Sequence, residues 1–287
     1  MDIFNPPLAQ FPASEAFQLS WAWLRYKLYY RLTVATDHNR VRPFRFGIPL
    51  VLKWTNRTYT TESHALRFLN YNLPDLPVPR LVDSVELNGA TYTVMTRLPG
   101  VNFQQRIVEL ASAGEIEPYQ IANAIVAVTE EIKKRVLPRL WSLTPSDERV
   151  MLSASGDGLP SPVCFNESYY GPFENRAALA VGLFGRSVPD DPLASPEWQR
   201  IVNDRVVWVH TDFRVYNILV TKDLKFVGVI DWEDSGWCPR YWQLAILRQL
   251  GPGCFGAWWE DWAKNTRFDE ETEAAYEAMT QVRRWRF

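Results

Sequence analysis

Cysteine is scarce in this chain: Cys164, Cys238 and Cys254, odd in number and irregular in spacing. That argues against a disulfide framework or a thiolate zinc site and fits a reducing compartment. Histidine occurs only at 38, 64 and 210, with no two at metal-ligand spacing. No Gly-x-Ser-x-Gly elbow and no P-loop is present. Upstream of Lys53 the single glycine is Gly47, so no Gly-x-Gly precedes that lysine. No apolar run approaches the ~20 residues of a membrane span. The first residues, MDIFNPPLAQF, lack the basic start and apolar core of a signal peptide. A cytoplasmic protein without membrane attachment is therefore expected. Neither charge sign dominates: the net charge is -2, which draws in neither nucleic acid nor an anionic membrane. The glycosylation patterns at Asn56 and Asn166 carry little meaning without secretion.

Apolar and aromatic residues are plentiful. Hydrophobic residues make up 47% of the 287, enough for a substantial core and about two domains. Phe17, Trp21, Leu24, Leu28 and Leu32 recur at helical spacing, which predicts an amphipathic helix over 14–32 packed on its own domain. A short apolar run over 48–54 reads as a strand with Lys53 near its end. Thr60-Thr61-Glu62 then opens a helix with an acid in its first turn. Two strands, 80–86 and 91–97, flank Asn88-Gly89, a hairpin signal. Leu98-Pro99-Gly100 reads as an interdomain hinge. Beyond it, Ile121, Ile125, Val128, Ile132 and Val136 mark a long helix that Pro138 stops. Residues 153–162, rich in Ser, Gly and Pro, read as a surface loop. Short strands follow at 206–209, 218–220 and 226–230, and helix resumes from Tyr241. The order predicts an α+β fold with a small sheet-rich N-lobe and a larger helical C-lobe.

The chemistry concentrates in WVHTDFRVYNILV, residues 208–220. Apolar strands enclose His210, Asp212, Arg214 and Asn217, although an unpaired buried carboxylate is costly. A His-Asp pair between strands is by itself most often structural. Asn217 and Asp231 change that reading. If 218–220 and 226–230 form a hairpin, Asn217 and Asp231 lie at neighbouring ends, with Asp212 on the loop before. Such oxygen donors suit Mg²⁺ shared with phosphates. Phosphoryl transfer needs an acid at the acceptor hydroxyl, an Asn and a second acid on the metal, and a strand lysine paired with a helix Glu. Lys53 and Glu62 stand at suitable places for that pair.

His210 to Val220, followed by Ile230-Asp231-Trp232-Glu233, resembles the aminoglycoside phosphotransferase family, especially its kinase-like fungal members. Pro77-Val78-Pro79-Arg80, Val94 to Gly100, Tyr170-Gly171-Pro172-Phe173 and Gly236 to Trp242 are similar to further family segments. The resemblance implies a bilobal protein-kinase-like fold, with an antiparallel-sheet N-lobe over 1–98 and a mainly helical C-lobe over 99–287. It implies an ATP- and Mg²⁺-dependent transfer of the γ-phosphoryl group to a hydroxyl of a small molecule. In that reading Asp212 is the catalytic acid, Asn217 and Asp231 bind metal, and Lys53 with Glu62 holds phosphate. Met95, Thr96 and Leu98 belong to a hinge that faces adenine, His210 supports the loop, and Arg214 faces the transferring phosphate. The chain departs from the family pattern at Thr211, where Gly is usual, and at Val215 and Tyr216. The segment that would cover the phosphates, 36–41, has no glycine. That absence keeps a second reading open: a kinase-like protein that binds or scaffolds without catalysis.

Overall fold

The structure is a computed structural model and describes residues 13–36, 40–160, 169–185, 188–189, 191, 194–248 and 267–284. Cys164, Cys254, Trp258, Trp259, Trp262 and residues 37–39 of the predicted phosphate-covering segment lie outside them. In chain order come α1 (Ala13–Leu32), β1 (Val41–Pro43), β2 (Leu50–Thr55), α2 (Glu62–Asn72), β3 (Leu81–Leu87) and β4 (Ala90–Thr96). The four strands make one antiparallel sheet in the order β1-β2-β4-β3. Between β3 and β4, Asn88 and Gly89 both take positive φ, 54° and 72°. Asn-Gly favours such a turn, and the predicted hairpin forms there.

The helix α1 lies on this sheet, but not by its predicted stripe. Trp21, Leu24 and Leu28 are about half exposed. The docked face is aromatic instead. Tyr26 is buried with its ring 4.5 Å from that of Tyr92, and the Arg25 guanidinium forks onto the Asp83 carboxylate. A helix that is apolar on two sides docks the side whose rings and charge find partners. The other helix of this region, α2, sends Ala65, Leu66 and Leu69 into the main core, where they join Met95 of β4.

The chain continues through β5 (Val101–Asn102), α3 (Phe103–Ser112), α4 (Pro118–Arg135), α5 (Leu137–Ser142), β6 (Leu152–Ser153), β7 (Leu159–Pro160) and β8 (Tyr169–Tyr170). Then follow α6 (Arg176–Phe184), α7 (Pro196–Asn203), β9 (Val206–His210), β10 (Ile218–Val220), β11 (Phe226–Val229), β12 (Ser235–Pro239), α8 (Arg240–Arg248) and α9 (Glu270–Arg284). The predicted stripe of α4 is buried from Ile121 to Ile132, alongside Trp208, Trp232 and Trp242. α4 ends at Arg135, just ahead of the stop expected at Pro138. Pro138 sits in the first turn of α5, where its missing N–H and fixed φ cost nothing. Residues 153–160 are not a surface loop throughout: Ser153 and Leu159 are buried, and β6 pairs with β12. Burial of Ser153 is tolerated because its hydroxyl takes hydrogen bonds from Asp157 N and Thr60 Oγ1. The strand β12, in the GWCPRYW stretch, was not expected, because Gly236 and Pro239 read against a strand. The architecture is α+β and bilobal, with a small antiparallel sheet and a larger, mainly helical part. No helix among the described residues is long and apolar enough to cross a membrane.

Candidate active site

The strand β9 ends at His210, and the loop after it carries Asp212 into a short turn over 215–217 that opens β10. β10 and β11 pair as a hairpin, with Ile218 opposite Val229. Ile230 N donates to Asn217 O at 2.9 Å, which sets Asn217 beside the backbone leading into Asp231. Asn217 is buried, and its Nδ2 donates to Asp212 O at 2.8 Å and to Asp212 Oδ2 at 2.9 Å. With Nδ2 spent on Asp212, the amide keeps its Oδ1 for another partner.

Asp231 takes φ 66° and ψ 58°, a left-handed conformation uncommon outside glycine. Glu62 holds it there. Glu62 Oε1 accepts from the N–H groups of both Asp231 and Trp232, each at 3.1 Å. Glu62 Oε2 lies 2.9 Å from Lys53 Nζ, and the same ammonium contacts Asp231 Oδ1 and stands 3.6 Å from Glu233 Oε2. Burial pulls the Lys53 ammonium toward neutrality, but Glu62, Asp231 and Glu233 outweigh it and hold its pKa above the ordinary range. Burial pushes the Asp231 carboxyl up, yet Lys53 wins and keeps it below its usual value. For Glu62 burial dominates and raises the carboxyl against the pull of Lys53. The expected Lys53–Glu62 pair thus forms and extends to Asp231, joining β2, α2 and the end of β11.

His210 is fully buried. Asp212 N donates to its Nδ1 at 3.2 Å, so Nδ1 carries a lone pair and Nε2 carries the proton given to Ile230 O at 3.1 Å. The ring is therefore neutral, and burial lowers its pKa accordingly. It links the Asp212 loop to the strand leading into Asp231, the supporting place expected for it. Thr211 fits without glycine's freedom: its N and Oγ1 both donate to Asp234 O.

A cleft of about 230 Å³ runs along this cluster, lined among others by Val41, Val51, Lys53, Met95, Leu98 and Asp231. Thr96 lines it too. Thr96 N donates to Arg80 O and Arg97 N to Pro49 O, so those two hinge amides are committed to the fold. Arg214 sits against the acid: its Nε lies 3.8 Å from Asp212 Oδ1, and its Nη1 donates to Ile246 O of α8.

Two contacts had no sequence signal. Arg57, inside the Asn56-Arg57-Thr58 pattern, reaches Asp234 at 2.8 Å and Glu233 at 3.4 Å. Burial nonetheless pushes Asp234 up to about 7. Tyr216, noted only as a departure, donates its hydroxyl to Asp212 Oδ1 at 2.9 Å.

A lysine–glutamate pair from the sheet side, set over an Asp, Asn and Asp from the helical side, defines the protein-kinase-like class of fold. The sequence profile of the phosphotransferase enzyme family (APH) matches residues 31–286. The chain belongs to that family. Among solved structures it resembles the aminoglycoside phosphotransferase APH(3'')-Id from Streptomyces rimosus ATCC10970, with TM-score 0.51 and 17% identity over 95% of this chain and 99% of that one. The same enzyme in complex with ADP and streptomycin gives TM-score 0.51, 16% identity and the same coverage. The gentamicin–APH(2")-IIa complex gives TM-score 0.51 and 13% identity over 96% of this chain and 88% of that one. At such identities the likeness speaks to the fold. No curated protein matches the chain.

Proposed function

We propose that this protein transfers the γ-phosphoryl group of ATP to a hydroxyl of a small molecule. One observation carries the reading: Lys53, Glu62 and Asp231 line one cleft, and Asn217, bonded to Asp212, accepts from the N–H of Ile230, which lines it too. In this reading residues 1–98 serve the nucleotide and 99–287 carry the base, the metal ligands and the acceptor side. Asp212 takes the acceptor's proton, Lys53 meets the phosphates, and Arg214 flanks the transferring group. The hinge residues Met95, Thr96 and Leu98 line the adenine end. The relatives' ADP, streptomycin and gentamicin complexes support a nucleotide and a small-molecule acceptor as partners.

The donors present fit Mg²⁺. Asn217 Oδ1 and the Asp231 carboxylate are hard oxygen ligands, the kind this ion takes together with phosphates. Among the described residues no group of three or more His, Cys, Asp or Glu is arranged to hold a metal. Bound there, the ion supplies positive charge across the phosphates. Lys53, pinned by Glu62, keeps its ammonium aimed at the same place.

Calorimetry with ATP, with and without Mg²⁺, tests the site. Binding is expected to need Mg²⁺ and to be lost in Asp231→Asn. Asp212→Ala is expected to keep ATP binding and to lose turnover by about 10²–10⁴, the usual contribution of a positioned base. Normal turnover in Asp212→Ala sinks the assigned role. The lack of any glycine but Gly47 before Lys53 favours the second reading, binding without transfer, since glycines let backbone amides approach phosphates. ATP binding with no turnover against a broad set of alcohols decides for it.

A further inference from the structure

The helix α1 has two apolar sides and only one of them is docked, and we propose that the other binds the surface of an anionic lipid bilayer. Trp21, Leu24 and Leu28 are each about half exposed, at i, i+3 and i+7. At about 100° per residue they lie within about 60° of one another, and Leu24 lies about 160° around the helix from Tyr26, which is buried in the docked face. Lys27 and Arg31 fall within about 60° of Leu24, so they share this outer face. The Lys27 ammonium stands over the Trp23 ring of the same helix, 5.5 Å from its centre, and Arg31 is exposed.

Charge identifies the occupant. The net charge of -2 hides a local excess: residues 13–45 hold five arginines and one lysine against two acids, Glu15 and Asp37. The carboxylate that reaches the helix from the sheet, Asp83, is taken by Arg25. Apolar side chains beside lysine and arginine are what a helix lying on an anionic membrane offers it, the apolar groups toward the acyl chains and the cations at the headgroups. Trp suits that boundary, with its apolar body and polar N–H. A twofold contact between two copies through this face would set its cations against themselves. A nucleic acid would use the cations and leave the apolar stripe without a partner.

Such a contact leaves the cleft open. Along β2, Leu52 packs with Tyr26 under α1, whereas Val51 and Lys53 line the cleft on the other face of the sheet. The bilayer and the nucleotide side thus lie on opposite faces of the sheet. Binding uses side chains that already face solvent, so α1 stays docked and nothing unfolds. Charge supplies much of the attraction, and salt weakens it. Nothing in this contact depends on phosphoryl transfer.

Co-sedimentation of the full chain with vesicles tests this, using equal parts phosphatidylserine and phosphatidylcholine, and phosphatidylcholine alone. Wild type is expected to pellet with the mixed vesicles at low salt, to be released as salt rises, and to stay in solution with phosphatidylcholine alone. Lys27→Gln and Arg31→Gln are each expected to lower the partition coefficient about fivefold, the effect of one basic charge at an anionic surface. Leu24→Ser combined with Leu28→Ser lowers it as well, while Tyr71→Ser, at an exposed aromatic on α2, leaves it unchanged. Urea unfolding checks that every variant is folded, as expected for side chains that already face solvent. No binding by wild type at low salt overturns the proposal, and so does equal binding by wild type and the folded α1 variants. A wild-type dimer that the Leu24→Ser, Leu28→Ser variant splits, without vesicle binding, gives the face to a second copy and overturns it. Retention of wild type by single-stranded RNA but not by the mixed vesicles does the same.

Discussion

At the scale of the residue, His210 gives the loop a pH dependence whose sign can be worked out. Its folded pKa lies below the ordinary value of 6.5, because burial disfavours the imidazolium. Between the two values the unfolded chain holds a proton that the folded chain refuses. Stability from this group is complete above about 6.5 and is lost as pH falls through the folded value. Asp204, raised to about 6, and Asp234, raised to about 7, act oppositely: their folded forms take up protons first and gain stability on acidification. A comparison with His210→Asn isolates the histidine. Urea midpoints at pH 7.5 and 5.5 are expected to show wild type losing its advantage over the variant at the lower pH. An advantage that stays constant rules out titration of His210. The clustering of these residues was partly legible in the sequence. His210, Asp212, Asn217 and Asp231 stand out because polar groups interrupt apolar strands. Tyr216 and Arg57 do not, because a surface tyrosine or arginine looks the same whatever its hydroxyl or guanidinium reaches across the fold.

At the scale of the element, pattern served where one face is buried and failed where two sides compete. The β3–β4 hairpin was readable because Asn88-Gly89 dictates its own turn. The stripe of α4 was readable because Ile121, Ile125 and Ile132 have no rival face. In α1 the Trp21-Leu24-Leu28 stripe competes with a tyrosine face, and the tyrosines dock because Tyr92 and Asp83 are placed to receive them. That choice lies in β3 and β4, not in the helix. The strand β12 was illegible for a related reason. Gly236 speaks against a strand locally, yet the pairing demands it: a Cβ there would lie 2.2 Å from Leu152 O and 2.9 Å from Leu159 Cδ1. The carbonyl belongs to the partner strand and cannot yield alone. Gly236→Ala is expected to cost about 1–3 kcal/mol, the range for overpacking. Urea unfolding checks this, and an unchanged midpoint means that β6 can move aside.

At the scale of the whole molecule, the sheet side and the helical side are joined by largely buried polar contacts. Thr60 Oγ1 bonds to Ser153 Oγ and Gly158 O, Arg57 pairs with Asp234, and Glu62 caps the Asp231–Trp232 turn. Glu62 is the most consequential, since it is 1% exposed and serves both lobes at once. Removing one partner of a buried ion pair costs about 3–5 kcal/mol. Lys53 keeps Asp231 and Glu233 as partners, so Glu62→Ala is expected at the lower end, about 3 kcal/mol. Glu62→Gln retains an oxygen for the two backbone N–H donors but sets an amide NH₂, a donor, where Oε2 accepts from Lys53. Two such hydrogen bonds contribute about 1 kcal/mol each, so Gln should recover about 2 kcal/mol relative to Ala. Nucleotide affinity should separate differently. Both variants release Lys53 from its anchor, so both should weaken Mg²⁺-ATP binding despite their difference in stability. Urea unfolding and calorimetry on the same pair of proteins test this. Wild-type ATP affinity in Glu62→Gln would mean that Asp231 and Glu233 suffice to aim Lys53, and that Glu62 serves the turn at Asp231 alone.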